Sequence, residues 1–237
     1  MQDQVTRIVA IRHGETDWNV ASRIQGQLDI GLNDTGRWQA RRLALALADE
    51  QLDAVYSSDL VRAHDTALAL ASVAELPVHV DAGLRERGFG VFEGLTFAEI
   101  EQRLPDQALR WRRRDADFGP EGGETLADFY RRAVASVTSL AARHRGQHIA
   151  VVTHGGVLDA LYRAASRLAL DASRSWQIGN ASVNRLLASD QGLTLIGWAD
   201  TFHLEDLEES SPGESAHGET RRARGGPATT TAASEAS

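Results

Sequence analysis

The sequence predicts an α/β fold: three layers, with a mainly parallel sheet covered by helices on both faces. Three observations carry this expectation. Short apolar runs rich in β-branched residues alternate with Ala/Leu/Arg-rich stretches of helical length, the pattern of a sheet whose parallel strands are joined by crossover helices. Two of the runs end in the same way, one at Arg12-His13-Gly14 and the other at Thr153-His154-Gly155. Side chains that cap helices stand where several of the helices should begin.

Taken in order, residues 5–11 read as a buried strand that stops at the first His-Gly pair. Asn33, Asp34 and Thr35 offer caps for a helix over 37–50. A second strand over 53–56 closes at Ser57-Ser58-Asp59, a helix follows over 60–74, and residues 76–80 give a third strand. Thr96 and Glu99 have the spacing of a capping box. Thr125 and Asp128 start the longest helix, which runs to about Arg143. The strongly apolar run 148–153 is a strand, and a helix over 157–167 follows its His-Gly-Gly. Strands over 183–188 and 193–198 flank Asp190-Gln191-Gly192, a hairpin signal. From about Glu205 the chain turns to Ser, Gly, Thr, Ala and Glu with no apolar period. The expectation is a domain over 1–203 and a disordered tail over 204–237.

Composition narrows the function classes. Hydrophobic residues make up 42% and charged residues 24%, values ordinary for a globular chain. The formal net charge of -8 argues against a surface that attracts nucleic acid or anionic membrane as a whole, so an anionic ligand needs a local positive cluster. With no cysteine, disulfides, thiolate metal sites and thiol nucleophiles are excluded. No signal peptide or long apolar run stands out, which makes the cytoplasm the default expectation. The sequence leaves homo-oligomerisation open.

The chemistry is expected at the carboxyl ends of the strands, where open α/β sheets bind ligands. There His13 and His154 would share one rim. Arg12 adjoins His13, and Arg62 lies at the start of the helix after the second strand, near the same rim. Arginine forks and helix N-termini match the oxygens of a phosphate. A histidine attacks phosphorus only as neutral imidazole, and Arg12 and Arg62 would disfavour its protonation. Neither a G-x-x-x-x-G-K-[ST] loop nor an H-E-x-x-H helix is present, so nucleotide-cradling and zinc-hydrolase readings have no motif.

RHGETDWN from Arg12 resembles the signature of the histidine phosphatase superfamily, the phosphoglycerate-mutase-like fold. The resemblance continues in RIQGQLDIGLNDTGRWQA from Arg23, SSDLVRAHDTA from Ser57, LRERGFGVFEGLT from Leu84, GGET from Gly122 and VVTHGGVL from Val151. It implies His13 as nucleophile, Arg12, Arg62 and His154 as holders of the phosphoryl oxygens, and Glu86 as proton donor. It further implies Asn19, Gln25, Gly26 and Gly155 as pocket contacts. It implies a small-molecule phosphomonoester as substrate, with no metal and no cofactor. The short stretch between Glu86 and Glu124 resembles the phosphatase branch, because mutases of the family carry a long insertion there. A cofactor-dependent phosphoglycerate mutase and a catalytically silent phospho-ligand-binding module are the alternatives. That stretch contains Arg110-Trp111-Arg112-Arg113-Arg114 and Phe118, which read equally as a basic lid selecting anionic substrates and as the solvated face of a helix anchored by one Trp.

Overall fold

In chain order the elements are β1 (Thr6–Arg12), α1 (Asp17–Val20), α2 (Asp34–Ala46), β2 (Ala54–Ser57), α3 (Val61–Ala74) and β3 (Val78–Val80). Then come α4 (Phe97–Arg103), α5 (Pro105–Arg112), α6 (Leu126–Arg143), β4 (His148–Thr153), α7 (Gly155–Ser166), β5 (Val183–Ser189) and β6 (Gly192–Asp200). This computed structural model describes residues 5–205. The tail expected over 204–237 therefore lies almost wholly outside the described residues.

One six-stranded sheet has the order β3-β2-β4-β1-β5-β6. The first four strands pair in parallel, and β5 and β6 add antiparallel to that block. Alternation along the central strands divides the core. Ile8 and Ala10 of β1 and Ile149 and Val151 of β4 pack under α6 and α7. Val9 and Ile11, with Ala150 and Val152, pack under α2 and α3. A run apolar at every position is what a strand covered on both faces requires. These two cores are the three layers. A third, smaller cluster joins Phe92, Ile100, Ala108 and Phe118 beneath α4 and α5, with Trp111 against it.

The caps sit where the sequence places them. Asn33 accepts from Gly36 N at the start of α2, Thr96 and Glu99 form a full capping box on α4, and Thr125 accepts from Asp128 N on α6. The sequence did not signal α1, a single turn boxed by Thr16 and Asn19. It also set the start of α7 two residues late. Gly155 and Gly156 open that helix, because the amide of Gly156 is used as a donor there, as described next.

Candidate active site

β1 and β4 are neighbours in register, Arg12 opposite Thr153. The residues that follow them, His13 and His154, are thereby brought to one rim with ring centroids 5.2 Å apart. Both are buried. The glycines after them are not there for a left-handed backbone. A Cβ on Gly14 would stand 2.5 Å from the carbonyl oxygen of Gly36, so this glycine permits β1 to end against the start of α2.

Ring chemistry is fixed by the surroundings. His13 Nδ1 lies 2.7 Å from the carbonyl oxygen of Gly14, which can only accept. The proton is therefore on Nδ1, and Nε2 carries the lone pair. Burial, then the charges of Arg12 and Arg62, hold the His13 pKa well below 6.5. His154 is likewise held well below 6.5 by burial and then by Arg62. Its Nε2 meets Ser58 Oγ at 2.9 Å.

Each arginine is gripped by carbonyls. Arg62, 1% exposed, gives Nη1 to the carbonyl of Leu28 and Nη2 to that of Gly26. Arg12 gives Nη1 to the carbonyl of Ile178. Desolvation lowers both guanidinium pKa values, that of Arg62 to about 10. Thr66 ties these parts together, accepting from Gly14 N and donating to the Arg62 carbonyl. Arg12 Nε, Arg62 Nε, His154 Nδ1 and Gln25 Oε1 are buried with no hydrogen-bond partner among the described residues. A rim with buried, incompletely paired cationic donors is built for an anion, since unmet donors are costly to bury.

Glu86 is the acid at this rim. Oε1 accepts from Arg87 N at 2.8 Å and Oε2 from Gly156 N at 2.9 Å, the latter at the N-terminus of α7. A Cβ on Gly156 would stand 2.1 Å from Glu86 Oε1. Arg132 holds the segment from beneath, donating to the carbonyls of Gly83, Arg85 and Glu86 while pairing with Glu124.

The remaining expected residues divide by what they touch. Asn19 Oδ1 is taken by Thr16 and Asn180, and Asn180 also donates to the His13 carbonyl. Gly26, at φ +52°, contributes its carbonyl to Arg62. Gly155 has room for a Cβ, which would lie 3.5 Å from Arg12 Nε. Within the basic run, Arg112 pairs with Glu101 and covers Phe97, while Arg110 pairs with Asp115 and covers Phe118. Trp111 packs with Phe89, Phe92 and Phe97. Arg114 alone turns inward, to Asp159 and the carbonyl of Leu170. Sequence reasoning missed Ser58, Thr66, Asn180 and Arg132. Ser58 and Thr66 lie within SSDLVRAHDTA, which is the one signal they carry, and Asn180 and Arg132 lie outside every motif.

The model of the histidine phosphatase superfamily (branch 1) matches residues 8–201. Phosphoglycerate mutase-like protein 4 of Arabidopsis thaliana is 43% identical over 205 residues, which is 84% of this chain and 87% of that one. The metal-independent phosphoserine phosphatase of the same plant is 38% identical over 211 residues, 87% of each chain. The solved mycobacterial glucosyl-3-phosphoglycerate phosphatase in complex with VO3 superposes with a TM-score of 0.74 at 38% identity, covering 82% of this chain and 99% of that one. With two buried histidines, the buried Arg62, the half-buried Arg12 and a carboxylate gathered at the rim that these motifs build, the chain belongs to the histidine phosphatase superfamily, branch 1.

Proposed function

We propose that His13 is the nucleophile of this phosphatase and that the substrate is a small anionic phosphomonoester. The observation that carries the reading is the Nδ1 contact of His13 to the Gly14 carbonyl, which leaves a neutral ring with Nε2 as the free lone pair. Nε2 attacks phosphorus, the P–O bond to the leaving group breaks, and protonated Glu86 gives its proton to the departing oxygen. The Glu86 carboxylate then takes a proton from water, and the resulting hydroxide attacks the phosphohistidine. The P–N bond breaks, inorganic phosphate leaves, and Nε2 recovers its lone pair.

Charge on the equatorial oxygens is met by Arg12, Arg62 and His154. Fixed positive groups of this kind supply most of the acceleration in phosphoryl transfer. Ser58 accepts from Leu60 N and has its own proton to give to His154 Nε2. His154 then keeps its proton on Nδ1 for a phosphoryl oxygen. Asn19 and Gln25 add polar contacts, Gly26 acts through Arg62, and Gly155 opens the helix beside Arg12. The guanidinium cage does the electrostatic work that a metal ion does in other phosphatases.

Hydrolysis of p-nitrophenyl phosphate in EDTA tests this reading. Wild type turns over, and His13→Ala falls by at least about 10⁴-fold while keeping its melting temperature. Folded His13→Ala with wild-type turnover would refute it.

A further inference from the structure

Residues 180–182 lead into β5, the antiparallel neighbour of β1, and lie against the residues that close β1. The Ser182 carbonyl accepts from Arg12 N at 3.2 Å, and Ala181 N donates to the His13 carbonyl at 3.2 Å. Asn180 Nδ2 donates to that same carbonyl at 3.1 Å and to Asn19 Oδ1 at 3.1 Å. Ala181 is buried and holds φ +54°. A left-handed alanine costs free energy, so its surroundings must hold it there. What this conformation provides is a second amide on the His13 oxygen, beside that of Asn180.

The neighbours fix which atom is which. Thr16 N can only donate, and it lies 3.1 Å from Asn19 Oδ1, so that atom is the oxygen. The Asn180 atom facing it must then donate. The His13 carbonyl can only accept, which requires the same of Asn180. Both protons of one amide nitrogen are therefore used, one on the backbone of His13 and one on Asn19. Asn19 Oδ1 meets Thr16 N, Thr16 Oγ1 and Asn180 together, while Asn19 Nδ2 has no hydrogen-bond partner among the described residues. Asn19 sits on α1, a helix of four residues that buries none of them. Packing does not place a single turn of this kind. Thr16 fixes the Asn19 amide within the turn. Asn180 ties the turn to the strand end that carries His13.

We propose that Asn180 is a positioning residue, whose one amide sets Asn19 relative to the nucleophile so that Asn19 Nδ2 meets a phosphoryl oxygen as His13 attacks. A primary amide suits the task because it offers two donors on one planar nitrogen and adds no charge to the cage. This assignment rests on the phosphatase reading above, with Asn19 as a pocket contact, and the experiment separates the two.

A double-mutant cycle tests it. Values of kcat and KM for p-nitrophenyl phosphate, and the inhibition constant of orthovanadate, are measured for wild type, Asn180→Ala, Asn19→Ala and the double variant, with melting temperature as the folding control. Asn180→Ala lowers kcat/KM about tenfold in the wild-type background and weakens vanadate by a similar factor. In the Asn19→Ala background the same change costs less than about twofold, because the residue it acts through is gone. A merely structural Asn180 would cost the same factor in both backgrounds. Asn180→Leu keeps the size and the neutrality without the donors, and it replaces Asn180→Ala in the cycle, under the same criteria, if the alanine variant does not fold. Equal losses in the two backgrounds, or an Asn180 variant within about twofold of wild type, overturn the assignment while leaving the phosphatase reading standing. A folded wild type that does not turn over p-nitrophenyl phosphate overturns both.

Discussion

β1 and β4 carry similar side chains at their two ends and treat them differently. At the carboxyl end, Arg12 and Arg62 face one carboxylate, Glu86, whose own oxygens are already held by backbone amides, and His13 and His154 lie beside the two arginines. At the amino end, His148 and Arg185 both meet Glu50, at 3.4 and 2.5 Å, and Asp53 accepts from His148 N. A cavity of about 190 Å³ lies there, lined by Arg7, Glu50, His148 and Arg185. Here His148 and Arg185 share a carboxylate, Glu50, from within the chain. A cavity with titratable side chains is thus not what marks the site. The mark is positive charge that is buried and left incompletely paired, because such charge is stabilised only when an anion arrives.

The contrast can be broken by removing a rim cation. Arg62→Ala should cut kcat/KM by about 10²- to 10³-fold, the scale for one preorganised donor to transition-state charge. Arg62→Lys should recover little, since a point charge cannot reach the Leu28 and Gly26 carbonyls and the substrate together. Steady-state kinetics on phenyl phosphate checks both, and a loss below threefold would remove Arg62 from the cage.

A second break displaces the acid and leaves it in place chemically. In Gly156→Ala the new Cβ would meet Glu86 Oε1 at 2.1 Å, so the carboxylate must move. A displacement of about 1 Å costs on the order of 10²-fold in rate. The fall should appear in kcat. Gly155→Ala, whose Cβ meets only ordinary contacts, is the paired comparison and should lose far less.

The pH dependence of stability sharpens the contrast. His13 and His154 have pKa values well below 6.5 in the folded chain, and that of His148 is lowered too, in each case chiefly by burial. The unfolded chain therefore binds more protons near pH 6, and stability rises with pH there. What these histidines contribute is present above about pH 6.5 and lost as pH falls below it. The melting temperature should drop between pH 7.5 and 5.5. His154→Asn should flatten that slope more than His148→Asn, and equal slopes would mean that the two ends are alike after all.

The smallest effect belongs to the amino end. Arg185→Ala breaks a partly exposed pair with Glu50 and should cost less than about 1 kcal/mol of stability. Its kcat/KM should stay within about twofold of wild type. A larger catalytic loss would show that the two ends are coupled.

Much of this was legible in the sequence, for reasons that differ by residue. The apolar runs fix β1 and β4, and with both strands parallel the histidines that end them must share a rim, so His13 and His154 follow from pattern alone. Glu86 does not. It sits in a turn with no periodicity, and only the resemblance of LRERGFG to the family motif singled it out. The basic run of residues 110–114 was ambiguous because Arg112 takes a partner on the preceding helix, Glu101, that only folding brings near, while Arg110 pairs locally with Asp115. Asn180 and Arg132 were invisible for the same reason. Their contacts reach back to residues far away in the chain, and no local signal encodes a distant carbonyl. The start of α7 was misplaced because glycine reads as a turn, whereas here it clears space for a carboxylate.

With its Nδ1 proton held by the Gly14 carbonyl, His13 as the proposed nucleophile should receive the phosphoryl group on Nε2. Trapping the intermediate tests it most directly. Wild type is mixed with a fast-turning phosphomonoester, quenched in alkali, digested, and the phosphorylated peptide is read by mass spectrometry and by phosphorus–proton NMR. The expected result is one phosphoryl group on the His13 peptide, attached at Nε2. A phosphoryl group on Nδ1, on His154, or on no residue of the enzyme during turnover would contradict it.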